Sequence, residues 1–313
     1  MMRISSNAKG VAALAAPFLL MSQAASASQA GADSFEGTLL KASSGWGLDY
    51  SEDSCRVGRF FGEGDNRTLL QMTQFEPDHT FMLAVAGGGL GRRIEADKAR
   101  IQFGPVHPAK PDTIPTAGDI GDFKPGLIFP FTAVRDTESI EPSRKASEQA
   151  RIATFVPSDP ITLEDEAKVE WIQIAVAGKP RVRLATGPMG ELFTALKTCS
   201  EELLLHWGLD VERHRAMSRK PVPLQSPGKW ITARDYPRAA LSKGEQALVY
   251  FRLMIGADGS PESCHIQQSG YSEAFDKAVC GNLMKNARFE PALDAAGKPM
   301  KSYFRTSVRF AIP

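Results

Sequence analysis

The segment LVYFRLMIGADGSPESCHIQQ, residues 248–268, decides how the C-terminal part of this chain is read. Its opening, Leu248 to Ile255, is rich in aliphatic and aromatic side chains that suit a pleated, half-buried strand. Ala257-Asp258-Gly259-Ser260 supplies turn chemistry, and Cys264 to Gln268 follows as the paired strand, so the segment is a hairpin. Beyond it, Ser272 stands where a helix would be N-capped, with Glu273 behind it. Phe275, Ala278, Val279, Leu283, Met284 and Ala287 then recur on one helical face. The last run, Tyr303 to Ile312, sets Phe304, Thr306, Val308 and Phe310 against Tyr303, Arg305, Ser307 and Arg309. That alternation predicts a strand with one buried and one solvated face. The order predicts a small ββαβ domain over 228–313, an antiparallel three-stranded sheet covered by a helix.

Upstream, the stretch RAMSRKPVPLQSPG around residues 216–227 carries three prolines and little periodicity, and it reads as a Pro-rich linker. Before it, residues 31–215 predict a β-rich domain with a C-terminal helix, making the whole chain α+β. Short alternating runs place strands at Gly47 to Tyr50, Arg56 to Phe61, Thr68 to Phe75, Thr80 to Ala86 and Arg100 to Phe103. Pro105 to Pro130 is dense in proline and glycine and reads as a long loop, and Arg135 to Arg151 as a short polar helix. Strands return at Arg151 to Val156, Val169 to Val176 and Arg181 to Ala185. Gly190 to Trp207 is an amphipathic helix, with Leu192, Phe193, Leu196, Cys199, Leu203 and Leu204 on its buried face.

The first thirty residues carry basic Arg3 and Lys9, an apolar stretch from Val11 to Met21, and Ala25-Ser26-Ala27 in an A-x-A arrangement. This predicts a signal peptide over 1–27, cleaved near Ala27. The apolar stretch falls short of the about 20 residues a spanning helix needs, so an uncleaved anchor is the lesser alternative. With 37 basic and 36 acidic residues the charge nearly cancels, which argues against nucleic acid or an anionic membrane as partner. Four cysteines in an exported chain favour disulfides; of the three possible pairings the domain split favours Cys55 with Cys199 and Cys264 with Cys280.

In the order they occur, several residues resemble the TonB C-terminal domain family. They are Tyr236-Pro237 with Ala239-Ala240-Leu241, Gly244, Asp258-Gly259, Ser269-Gly270, and Ala287-Arg288-Phe289-Glu290-Pro291-Ala292. The resemblance covers about residues 228–313 and says nothing of the first domain. It implies a unit in the periplasm that works by contact, with no catalytic residue and no cofactor. Energy transducers of this family pair an edge strand with a short segment of an outer-membrane transporter. If that topology holds here, the receptive edge is the last strand, with Tyr303, Arg305, Ser307 and Arg309 flanking it. The arginines also fit a solvated edge protected against aggregation. The expected partner is therefore an envelope protein or peptide segment. The signal-like N-terminus and short linker depart from the transducers and favour a bridging role over energy coupling.

Other motifs carry little chemistry. The run Ala86-Gly87-Gly88-Gly89-Leu90-Gly91 lacks the βαβ context of a phosphate loop and reads as a hairpin turn. His79, His107, His206, His214 and His265 show no metal-ligand spacing, so no metal is expected. Glu164, Asp165 and Glu166 read as a solvated turn. Trp46, Trp171, Trp207 and Trp230 read as core, with Trp230 placed to pack the junction onto the sheet. The competing class is an envelope enzyme, which would require a cleft of convergent polar groups with shifted pKa values in the first domain. A true transducer with an uncleaved anchor is the third alternative.

Overall fold

The computed structural model describes residues 35–110, 115–135, 161–268 and 272–312. The expected signal peptide, the polar helix at 135–151 beyond Arg135, the strand at 151–156 and the Ser269-Gly270 motif lie outside the described residues.

The first domain opens with β1 (Gly37–Lys41), β2 (Gly47–Ser51), β3 (Ser54–Phe61), β4 (Thr68–Gln74) and β5 (Phe81–Gly87). There follow β6 (Ala99–Pro105), the short β7 (Ala109–Lys110) and β8 (Thr116–Ala117), and β9 (Gly126–Thr132). It ends with α1 (Leu163–Ala167), β10 (Val169–Val176), β11 (Arg181–Ala185), α2 (Gly190–His206) and α3 (Val211–Arg215). Period-two patterning turns Cys55 and Val57 of β3, and Leu70 and Met72 of β4, inward. A six-stranded antiparallel sheet has the order β2-β3-β4-β5-β9-β8, and a five-stranded sheet the order β1-β11-β10-β6-β7. Both sheets and the apolar face of α2 (Phe193, Leu196, Leu203) share one core. The Cys55–Cys199 disulfide ties α2 to β3 inside that core.

Three sequence expectations are corrected here. The Pro105–Pro130 segment is not one loop, because β9 begins within it and pairs with β5. Pro130 is tolerated because the ladder skips from Leu83↔Phe129 to Phe81↔Thr132, leaving Pro130 and Phe131 in a bulge that needs no proline N–H. The glycine run closes no hairpin, since β5 is followed by β6 in the other sheet. Its glycines are needed for close passage: a Cβ on Gly88 would stand 1.7 Å from the Asp65 carbonyl oxygen. Glu164-Asp165-Glu166 is not a solvated turn but most of α1, capped by Thr162, and Glu166 is buried.

The C-terminal domain comprises α4 (Arg238–Ser242), β13 (Ala247–Ile255), β14 (Pro261–Gln268), α5 (Glu273–Asn286), β15 (Phe289–Glu290), β16 (Ala292–Leu293), β17 (Pro299–Met300) and β18 (Ser302–Phe310). Its antiparallel sheet has the order β14-β13-β18. Ser272 occupies the N-cap position of α5 but makes no capping hydrogen bond through its side chain. The Cys264–Cys280 disulfide joins β14 to α5. Phe251 and Leu253 of β13, Phe304 of β18 and Phe275 and Val279 of α5 belong to a second core. Trp230 is buried against Phe289 and Phe304 in it. Residues 216–227 are fastened along this domain: β12 (Val222–Pro223) pairs with β15, and Arg219 bridges to Leu293. Residues 36–313 form one compact unit.

Candidate functional site

The face of the three-stranded sheet opposite α5 is covered at its Tyr303 and Arg305 end, which corrects there the expectation of a solvated face, while Arg309 is exposed as expected. Tyr250, Arg252 and Met254 of β13 and Tyr303 and Arg305 of β18 turn onto the first domain. Phe75 stacks on Tyr250 at 6.0 Å, and Trp207 meets Tyr303 edge-on at 5.1 Å. Arg305 Nη1 donates to Glu76 at 3.1 Å, and its guanidinium lies 4.6 Å from the Phe75 ring centre. Arg252 pairs with Asp53 and lies 3.9 Å from the Trp207 ring centre. Burial pulls the Arg252 guanidinium below its ordinary pKa while Asp53 opposes the shift. Gln267 Nε2 donates to the main-chain oxygens of Asp53 and Phe75, and its Oε1 accepts from Arg305 Nε.

Of the four residues expected to flank a receptive edge, Tyr303 and Arg305 are thus spent on this internal contact, Ser307 is half-buried and Arg309 is exposed. The main-chain edge is a separate matter. β18 pairs with β13 on one side, and its outer edge has no main-chain partner among the described residues. A cavity lined by four consecutive residues, Ser302 to Arg305, lies along it. Glu76, Met217, Lys220 and Pro221 also line it.

A second cavity of about 270 Å³ lies at the seam between the domains, reached by Tyr303 and Met217 on one side and by His79, Glu166, Phe193 and Lys197 on the other. His79 Nδ1 is 3.0 Å from Glu166 Oε1, whose side chain is 4% exposed. That hydrogen bond raises the His79 pKa against the opposing cost of burial. His214 Nδ1 lies 3.0 Å from the Asp210 carbonyl, which can only accept, so Nε2 is left to accept from the Ser302 hydroxyl at 3.2 Å. Burial lowers the His214 pKa, and burial together with Glu76 holds the Tyr303 phenol well above 10.0. Among the described residues no serine, threonine or cysteine lines this cavity, and its wall is shared between the first domain and Tyr303 of β18. Among the described residues no cluster of three metal-capable side chains occurs, and no helix is long and apolar enough to cross a membrane.

The motif residues meet in space. Gly259, at φ 82°, accepts from Phe289 N–H at 3.0 Å, and a Cβ on it would stand 2.0 Å from the Phe289 oxygen. Pro291 lies against the same turn, whose Ser260 N–H is held by Asp258 Oδ1. Tyr236, preceding Pro237 and α4, wedges edge-on against Phe275 and Phe310 and donates its hydroxyl to Glu245. Asp53, Glu76 and Arg252 were missed by sequence reasoning. The available signal was Arg252 itself, a charge in the middle of an apolar strand.

The last domain is thus a small α/β unit with one sheet face on its own helix, the other on a β-rich domain, and an open edge strand. Residues 232–312 match the family model described as the Gram-negative bacterial TonB protein C-terminal, so the chain carries a TonB C-terminal domain. No curated protein matches the chain.

Proposed function

We propose that this chain is an exported, periplasmic interaction protein whose TonB-like domain takes a partner segment by strand addition at the outer edge of β18. It acts by contact, without a cofactor or a catalytic step. The observation that carries this reading is the unpaired outer edge of β18 in the domain that matches the TonB family. Unpaired N–H and C=O groups supply affinity, and neighbouring side chains supply selectivity. Because the docked sheet uses Tyr303 and Arg305 internally, Arg309 and Ser307 remain for the partner. The partner's chemistry follows: an extended segment of an envelope protein, such as an outer-membrane transporter. Export rests on the signal-like pattern ending at Ala25-Ser26-Ala27. Cleavage there would remove the apolar stretch from Val11 to Met21, which favours bridging in the envelope over energy coupling.

A photo-crosslinking amino acid at Arg309, compared with one at exposed Lys179, tests the edge in the native host. Adducts to an extended envelope segment from position 309 and not from 179 are expected; equal or absent labelling at 309 overturns the reading. The intact mass of non-reduced protein from envelope fractions tests export. A species cleaved near Ala27 without free thiols supports it, and a full-length species in the inner membrane points to the transducer instead.

A further inference from the structure

The seam cavity has a charge pattern that the TonB-like reading does not use. Besides His214, four basic side chains reach it, and three are held: His79 by Glu166 at 3.0 Å, Arg215 by Glu201 at 2.6 Å, and Lys220 by Asp78 at 3.5 Å. The fourth, Lys197 on α2, is paired with no carboxylate among the described residues. Each acid in the lining is thus matched to a base, while the Lys197 ammonium is matched to no acid. Phe193, Leu204 and Met217 give the cavity an apolar wall. An apolar wall with a few convergent polar groups is the composition of small-molecule sites, and about 270 Å³ suits a compact ligand.

We propose that this cavity binds a small amphipathic carboxylate. The carboxylate pairs with Lys197, and the apolar body lies on Phe193 and Leu204. Tyr303 and Met217 complete the wall from the C-terminal side, so the site exists only while the two domains are docked.

Ring-proton NMR of the five histidines in full-length protein tests this without reference to the β18 edge. The probes are 4-hydroxybenzoate, its neutral counterpart 4-hydroxybenzamide, and the cation tyramine. 4-Hydroxybenzoate is expected to shift His79 and His214 saturably while sparing exposed His206 and His265. The amide and tyramine should bind at least about tenfold more weakly, the loss expected when one charge-assisted contact is absent. Lys197→Met should weaken 4-hydroxybenzoate to the same extent with melting unchanged, because Lys197 is exposed, and Lys179→Met should have no effect. The proposal is overturned if tyramine or the amide binds as tightly, if neither His79 nor His214 moves, or if Lys197→Met binds normally.

Discussion

Arg305 and Glu76, 229 residues apart in sequence, form a 3.1 Å ion pair with side chains only 5% and 15% exposed. This pair, with Arg252–Asp53 beside it, fastens the TonB-like sheet to the first domain. A charge so enclosed is costly when its partner is removed, more than the pair itself contributes. Glu76→Leu is therefore expected to cost about 3 kcal/mol and the double variant Glu76→Leu with Arg305→Met clearly less. A double-mutant cycle by urea unfolding measures both, and equal costs would remove the pair from the account.

The two seam histidines predict opposite pH dependences. His79 has its pKa raised in the folded protein, so its contribution is full below 6.5 and is lost as pH rises through the raised value. His214 has its pKa lowered, so its neutral form favours folding above 6.5 and that contribution is lost as pH falls toward the lowered value. Melting from about pH 5 to 8 should show His79→Gln most destabilising at the acid end and His214→Gln relatively most tolerated there. Parallel curves for both variants would contradict this.

The two disulfides close loops of very different length, 144 residues for Cys55–Cys199 and 16 for Cys264–Cys280. On chain entropy alone these stabilise by roughly 5 and roughly 3 kcal/mol. Cys55→Ser should thus lower the melting temperature more than Cys264→Ser in non-reducing buffer. The reverse order would assign the stabilisation to local packing.

Gly259→Ala tests why the motif has its spacing. A left-handed alanine alone costs about 1–2 kcal/mol, and its Cβ would also meet the Phe289 oxygen at 2.0 Å. The expected result is a larger loss than for alanine at Gly297, which is also left-handed (φ 74°) but opens to space.

Much of the C-terminal domain was legible because its signals are local. The alternation in 248–255, the Asp258-Gly259 turn and the apolar face of 275–287 each specify an element through neighbouring residues. The β18 pattern likewise indicated that Phe304, Val308 and Phe310 share one face, and these pack in or against the α5 core. The same pattern misjudged the other face, because period two separates two faces without saying what covers either. Tyr303 and Arg305 look like wet-face residues to any local reading. Likewise Glu166 looks like one of three solvated acids until His79 is brought 3.0 Å from it.

From local chemistry alone the sequence determined the three main strands and the covering helix of the last domain, its family resemblance and the helix that buries Cys199. Tertiary structure decided that the Tyr303 and Arg305 end of the sheet's second face is closed by the first domain, that the outer main-chain edge of β18 is unpaired among the described residues, and that a charged cavity lies at the seam. Those features depend on contacts between residues as far apart as Glu76 and Arg305, and distant pairings of that kind leave no periodic trace in either partner's own segment.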